Sequence, residues 1–228
     1  MLTEHQSVLK PNFAKRTLPD MALGTFAQLK TSIADWLNRS DLTSVIPDFI
    51  TLAEAEFNRT VRVRQMIVRA NATLDSEYTQ LPSDFLEMEN LVLLLTTPTK
   101  LEFLSDEQSD DYFTRYFSAA GTPRYYTIVG DTFKVVPSPA TDTTEVQMTY
   151  YGKIAALSDS NTTNWLLTKH PDLYLYGSLL QAAPYLQDDA RIAVWNAAYQ
   201  RGIDAMMMEQ ARSNYSGTTP RVRAKPMG

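Results

Sequence analysis

The apolar positions change period twice along the chain. From Thr25 they recur at helical spacing. Phe26, Leu29, Ile33, Trp36 and Leu37 fall on one face at steps of three and four. Thr25 and Gln28 have the spacing of a capping box, which sets the helix start. Asn38-Arg39-Ser40-Asp41 reads as a turn. A second helix follows, with Pro47 in its first turn and Phe49, Ile50, Ala53 and Phe57 as its apolar stripe. On that register Asp48, Glu54 and Glu56 are expected to face solvent. The short polar link predicts that the two helices pack as an antiparallel pair.

After Thr60 the period drops to two. Val61 to Arg64 alternate, and Met66 to Ala72 read as a strand. Glu87 to Thr96 and Lys100 to Leu104 read as two more, joined by Thr97-Pro98-Thr99. Ser105 to Glu107 open a short helix through Phe117, with Tyr112, Phe113 and Tyr116 on one side. Arg124 to Val129 and Thr132 to Val136 flank Gly130-Asp131, a hairpin turn in which glycine supplies a positive φ. Pro137 to Ala140 break the sheet, and Glu145 to Tyr151 return as a strand.

The last third is helical again. Asn164 to Leu167 reads as a short turn. Pro171 opens a helix with Leu173, Tyr176, Leu179, Leu180 and Ala183 as its buried stripe, and Pro184 near its end should stop or kink it. Asp188 and Asp189 suit the start of another helix, whose face is Ile192, Trp195, Tyr199, Ile203 and Met206. From Ser213 the pattern dissolves into Gly, Ser, Thr and Pro. The fold class that follows is α+β: an α-helical bundle of two N-terminal and two C-terminal helices, a β-rich insertion, and extended arms at both ends. The expected divisions are 1–23 as an N-terminal arm, 24–60 plus 162–212 as the helical body, 61–161 as the β-rich middle, and 213–228 as a C-terminal tail.

Composition removes most catalytic schemes. There is no Cys among the 228 residues, which excludes disulfides and thiol chemistry. The two histidines are His5, in the arm, and His170, beside a helix start where a structural role is the plainer reading. No phosphate-loop pattern occurs, and Tyr150-Tyr151-Gly152-Lys153 lacks a reductase spacing. Asp110-Asp111 and Asp188-Asp189 are adjacent pairs whose side chains diverge, which suits helix starts better than a metal. The run Met206-Met207-Met208 suits core or an adaptable contact surface. The longest apolar run, Leu91 to Leu95, is too short for a bilayer of about 30 Å. No enzyme, cofactor or membrane span is expected.

Charge distribution carries more information. Between Asp75 and Asp111 there are ten acids and one base, Lys100. Arg59, Arg62, Arg64 and Arg69 form a cluster without an acid, and the residues after Glu209 hold Arg212, Arg221, Arg223 and Lys225, again without one. The net charge of −5 is the sum of these opposed segments. One reading is solvated faces. Another is patches of opposite sign that meet between copies or partners. A third is DNA binding by the arginine cluster and the basic tail, though four tail bases give only modest phosphate affinity.

Four stretches carry a resemblance. They are Phe26-Ala27-Gln28-Leu29-Lys30 through Ala34 to Leu42; Ile46-Pro47-Asp48-Phe49-Ile50 with Ala53-Glu54-Ala55; Leu81-Pro82-Ser83-Asp84-Phe85-Leu86-Glu87; and Asn164-Trp165-Leu166-Leu167 followed by His170 to Tyr176, Ala182 to Leu186, Asp188 to Arg191 and Trp195. Their order, from about Gly24 to Met208, resembles the head-to-tail adaptor (connector) proteins of tailed bacteriophages. The resemblance implies a non-enzymatic virion protein of the head–tail neck, made in the host cytoplasm. It implies a ring of twelve copies beneath the portal protein that extends the channel for double-stranded DNA and carries tail or nozzle proteins. The C-terminal segment would dock on the portal, which maps to Thr219, Pro220, Arg221, Val222, Arg223 and Lys225. Arg59, Arg62, Arg64 and Arg69 are the candidates for contacts with neighbouring subunits or the tail. DNA would pass without specific binding.

Overall fold

The computed structural model describes residues 23–39, 41–116, 120–140, 144–186 and 190–215. It is mixed α+β, with six helices and two sheets among the described residues.

Helix α1 (Phe26–Leu37) starts where the capping box placed it. The Gln28 N–H donates to Thr25 Oγ1, and Gln28 Oε1 accepts from the Thr25 N–H, so two backbone donors at the helix start are satisfied together. It ends at Asn38, whose φ of 53° is the left-handed conformation asparagine tolerates. Helix α2 (Ile46–Thr60) buries the expected Phe49, Ile50, Ala53 and Phe57. Glu54 departs from expectation: it is buried, not turned to solvent, while Asp48 is exposed and Glu56 half-buried.

Helix α4 (Trp165–Lys169) occupies what the sequence suggested was a turn. Asn164 caps it, its Oδ1 accepting from the Leu167 N–H at 2.8 Å. Helix α5 (Pro171–Gln181) follows at once, and a 3-10 turn at Ala183–Tyr185 carries Pro184. The expected stripe covers only part of what α5 buries. Leu173 and Leu179 are buried, but so are Tyr174, Leu175, Gly177 and Ser178, while Tyr176, Leu180 and Ala183 are half-buried. The cause is position: α1, α2, α4 and α6 (Arg191–Tyr215) all pack on α5, so little of it faces solvent. Glycines permit two of these approaches: a Cβ at Gly177 would lie 3.1 Å from Phe57 Cζ of α2, and one at Gly202 of α6 would lie 2.7 Å from Leu173 Cδ2. Helix α6 buries Trp195, Tyr199 and Met206 as expected, and it runs beyond Ser213 to Tyr215. Asp188 and Asp189 lie outside the described residues.

The middle of the chain builds two four-stranded sheets. The first has the order β1 (Ile67–Leu74), β8 (Thr144–Gly152), β3 (Phe85–Leu93), β4 (Thr99–Lys100), all antiparallel. The second has the order β2 (Tyr78–Gln80), β7 (Thr132–Val136), β6 (Tyr125–Val129), β5 (Glu102–Phe103), with β5 parallel to β6. The hairpin β6–β7 turns at Gly130, φ 59°, as its sequence required. β2 was not legible, being only three residues long. The stretch Lys100 to Leu104, expected as one strand, is split. The Leu101 N–H donates to Leu91 O in the first sheet, and the next N–H, of Glu102, donates to Arg124 O in the second. The chain changes sheet at Leu101, which is buried between them.

Two hydrophobic clusters result. One joins the inner faces of both sheets, with Leu91, Leu93, Phe133, Val135, Val146 and Met148 at its centre. The other is helical and holds Leu29, Ile33, Phe57, Leu167, Leu173 and Tyr174. Val61, Val63, Met66, Ile154 and Leu157 come from 61–161 yet pack in the helical cluster. Each large apolar side chain so buried contributes about 1.5–3 kcal/mol. Helix α3 (Asp106–Tyr116) lies against β6 and β7. Ser105 and Gln108 cap it reciprocally, and the Tyr112 ring meets Tyr125 edge-on at 5.2 Å. The side chains of Phe113 and Tyr116, and all of Phe117, lie outside the described residues.

Candidate interaction surfaces

The four clustered arginines do not form one open patch. Arg59 is exposed in the last turn of α2. Arg62 is committed to structure. Its Nε donates to Glu87 Oε2 at 3.0 Å, and its Nη1 donates to the carbonyls of Asn58 and Val61. It therefore ties the end of α2 to β3. Arg64 is exposed in a 3-10 turn ahead of β1, and Arg69 is exposed on β1 itself.

The structure adds a neighbour to this cluster that the sequence kept far away. The Arg64 N–H donates to Gln210 Oε1 at 3.0 Å, across 146 positions. The last turns of α6 therefore stand beside the entry to β1. Arg212, two positions beyond Gln210 on α6, is exposed, as are Arg59, Arg64 and Arg69. No ion pair involves these four among the described residues. Nothing local in the sequence signals this meeting, because it depends on how α6 packs on α5. Thr219, Pro220, Arg221, Val222, Arg223 and Lys225 lie outside the described residues, after the last described turn of α6.

Part of the acidic middle is spent internally. Lys134 on β7 is buried, and its Nζ donates to Asp110 Oδ1 at 2.7 Å and meets Glu77 Oε1 at 3.4 Å. Burial pulls the Lys134 pKa down, but these partners outweigh it and leave it raised. This group fastens α3 and the segment before β2 to one strand, so Asp110 serves an ion pair. Asp84 accepts from Tyr150 Oη at 3.0 Å, and burial with this bond pushes the phenol up to about 12. Glu87 is held by Arg62. Asp106 and Glu107 remain exposed in the first turn of α3.

The buried Glu54 sits at a junction of three segments. Its Oε1 accepts from the Leu157 N–H at 2.8 Å and from Tyr174 Oη at 3.0 Å. Asn164 Nδ2 donates to the same Tyr174 oxygen at 2.6 Å. Burial raises the Glu54 carboxyl above its ordinary value, against the lowering effect of both bonds. Burial and the nearby carboxylate also push the Tyr174 phenol up strongly. The triad joins α2, the loop after β8, and α5. It lacks an exposed edge for a substrate, and its chemistry is structural.

His170 is half-buried at the joint between α4 and α5, where its backbone N–H donates to Leu166 O. Met206 is buried, whereas Met207 and Met208 are exposed, the last at 61%. Along α6, Val194 is also exposed, at 65%. An open groove of about 660 Å³ is lined by Leu180, Leu186, Ile192 and Ala193 among others. Among the described residues no group of three or more His, Asp or Glu could hold a metal ion, and no helix is long and apolar enough to cross a membrane.

A sequence model described as SU10 adaptor protein matches residues 24–224. The match takes in both the helical and the sheet-forming segments. Of the tail candidates it includes Thr219 to Arg223 and leaves out Lys225, and the first 23 residues precede it. No curated protein matches the chain.

Proposed function

This chain belongs to the SU10 adaptor protein family, and from that premise we propose that it forms the head-to-tail adaptor ring of a tailed phage. Its role is that of a structural phage adaptor. In our reading, copies of the chain assemble into a ring, twelve in number, beneath the portal protein. The ring continues the DNA channel and offers a platform for tail or nozzle proteins. Residues 24–60 with 162–212 make the body of the ring, and 61–161 meets tail components. The segment 213–228 docks on the portal. Double-stranded DNA passes through without specific binding, and the protein resides in the head–tail neck of the virion.

The observation that carries this reading is the single match across residues 24–224, which spans both hydrophobic cores. Two surface features agree with assembly. Val194 and Met208 leave apolar area exposed on α6, and a groove is lined by Ile192 and Ala193 near the start of that helix. The cations Arg59, Arg64, Arg69 and Arg212 stand opposite in sign to Asp106 and Glu107 on α3, which gives neighbouring copies complementary faces. The competing reading, DNA binding through Arg59, Arg62, Arg64, Arg69 and the tail, loses Arg62 to its bond with Glu87.

Electron microscopy of this protein mixed with its phage's portal protein is the test. A ring stacked on the portal is expected, and deletion of residues 213–228 is expected to abolish it. Mixtures that give no joint particle refute the reading. Intact docking after the deletion removes the tail from it.

A further inference from the structure

The first sheet ends in an open edge of unusual length. β1 pairs with β8 through eight consecutive residues, Ile67↔Tyr151 to Leu74↔Thr144, without a register shift. No strand lies on its other side among the described residues. In an antiparallel strand alternate residues turn both backbone groups to the same neighbour, so half of the donors and acceptors of β1 face outward. Edges of this kind invite further pairing, and proteins blunt them with proline, bulges or lysine. β1 has none of these, and its one charge is Arg69. Ala70 and Ala72 keep it slender.

The surroundings select the visitor. Arg64 precedes β1 by three positions and Arg69 lies on it, both exposed, with Arg59 upstream in the last turn of α2. Arg59 and Arg212 also suit helix C-termini, where cations offset the dipole. That role does not account for Arg64 or Arg69. The chain's own arms are mismatched in sign. Residues 1–22 hold three Lys or Arg against two acids, and the residues after Glu209 hold four against none. A second copy's own β1 matches in length but brings Arg64 and Arg69 against the same cations, and its other edges are short: β2 has three residues, and β4 and β5 two each. Its exposed acids Asp106 and Glu107 are on a helix, which cannot add as a strand.

We propose that β1 is a docking edge for an extended acidic segment of a different protein, which adds to the first sheet as a fifth strand while its carboxylates meet Arg64 and Arg69. Backbone pairing supplies affinity, and the arginines supply sign selection and register. This does not rest on the adaptor reading, because it is tested on the isolated chain and fails or stands without a portal.

The probe is a fluorescein-labelled peptide of about ten residues that alternates Glu with Thr and Val, titrated with the full-length protein by anisotropy at low and high salt. Controls are the Lys counterpart, the acidic peptide N-methylated on alternate amides, and a short DNA duplex. Expected is binding of the acidic peptide that weakens with salt. The N-methylated peptide and the Arg64→Glu/Arg69→Glu variant should each weaken it by at least about tenfold. The variant changes exposed side chains, and circular dichroism checks its fold. The N-methylated probe tests the edge on unaltered protein. Four results overturn the proposal: no acidic-peptide binding, equal affinity for the N-methylated peptide, equal affinity in the variant, or tighter binding of the duplex. Binding that emerges only after deletion of residues 1–22 also overturns it, since the edge would then belong to the chain's own arm.

Discussion

Glu54 offers a quantitative check on how the helical core is joined to the loop after β8. Replacement by alanine leaves the Leu157 N–H without its acceptor and removes the acceptor of the Tyr174 hydroxyl hydrogen. Orphaning a buried polar group costs about 1–3 kcal/mol. Tyr174 keeps its bond from Asn164, so its share belongs at the low end. The expected loss is about 3 kcal/mol, out of a total that for most domains is about 5–15 kcal/mol. Glu54→Gln retains an oxygen that accepts both bonds and is expected within about 1 kcal/mol of wild type. The two variants also separate in pH. Burial raises the Glu54 carboxyl in the folded state, so the folded protein holds that proton more tightly than the unfolded chain. The stability this lends is fully present below the unfolded value, about 4.3, and is lost as pH rises through the folded one. Wild type should therefore lose stability relative to Glu54→Gln from about pH 4 upward, then run parallel to it once the folded group has ionised. Guanidinium denaturation followed by far-UV circular dichroism at pH 4 to 8 measures both effects. Equal stability of the alanine and glutamine variants would refute the hydrogen-bond reasoning. A wild type that gains on Glu54→Gln with rising pH would refute the assigned direction.

Gly202→Ala sets helix propensity against packing. The new methyl gains about 1 kcal/mol in helix interior, but it would stand 2.7 Å from Leu173 Cδ2, which is fully buried and has nowhere to retreat. Overpacking of that kind costs about 1–3 kcal/mol, so calorimetry should show a net fall of a few degrees in Tm. At Gly130 the space is open and only the φ of 59° matters. There Gly130→Val is expected to cost about 1–2 kcal/mol in a denaturant titration, and Gly130→Asn clearly less. Lys134→Met keeps the buried stem but removes the bonds to Asp110 and Glu77. Asp110 is 67% exposed and is readily re-solvated, so global stability should change by about 1 kcal/mol or less. Hydrogen exchange in α3 should nevertheless speed up, and unchanged protection there would deny Lys134 its fastening role.

The elements visible in the sequence are those with a local physical cause. The capping pair Thr25 and Gln28, the turn glycine Gly130 and the stripe of α6 each act within a few residues, and each lies where it was expected. The misreadings have tertiary causes. Glu54 looked solvent-facing because its charge is unfavourable in an apolar core. Leu157 and Tyr174 make it acceptable, and neither is near it in sequence. Lys100 to Leu104 has the alternation of one strand, and only the two-sheet arrangement divides it at Leu101. The stripe of α5 was under-read for a related reason: a helix enclosed by four others has little polar side to define a period. Among the candidate residues, Arg59, Arg64 and Arg69 are exposed as a binding role requires, whereas Arg62 is drawn into the fold by Glu87. The approach of α6 to the entry of β1 was invisible, because it is made by one contact between distant segments, Gln210 and Arg64.

The bond between Glu54 and Tyr174 spans 120 positions, and that separation sets a timetable during synthesis. Chains emerge at about 5–20 residues per second. Helices α1 and α2 therefore leave the ribosome roughly 6–24 seconds before α5, the helix on which both are packed. Throughout that interval Leu29, Ile33, Phe49 and Phe57 have no permanent cover, while both sheets are complete soon after β8 appears. The first helices to be made are thus among the last to be covered: the inserted sheets can close before the helical core does around α5. The first helices are the segment most in need of a chaperone.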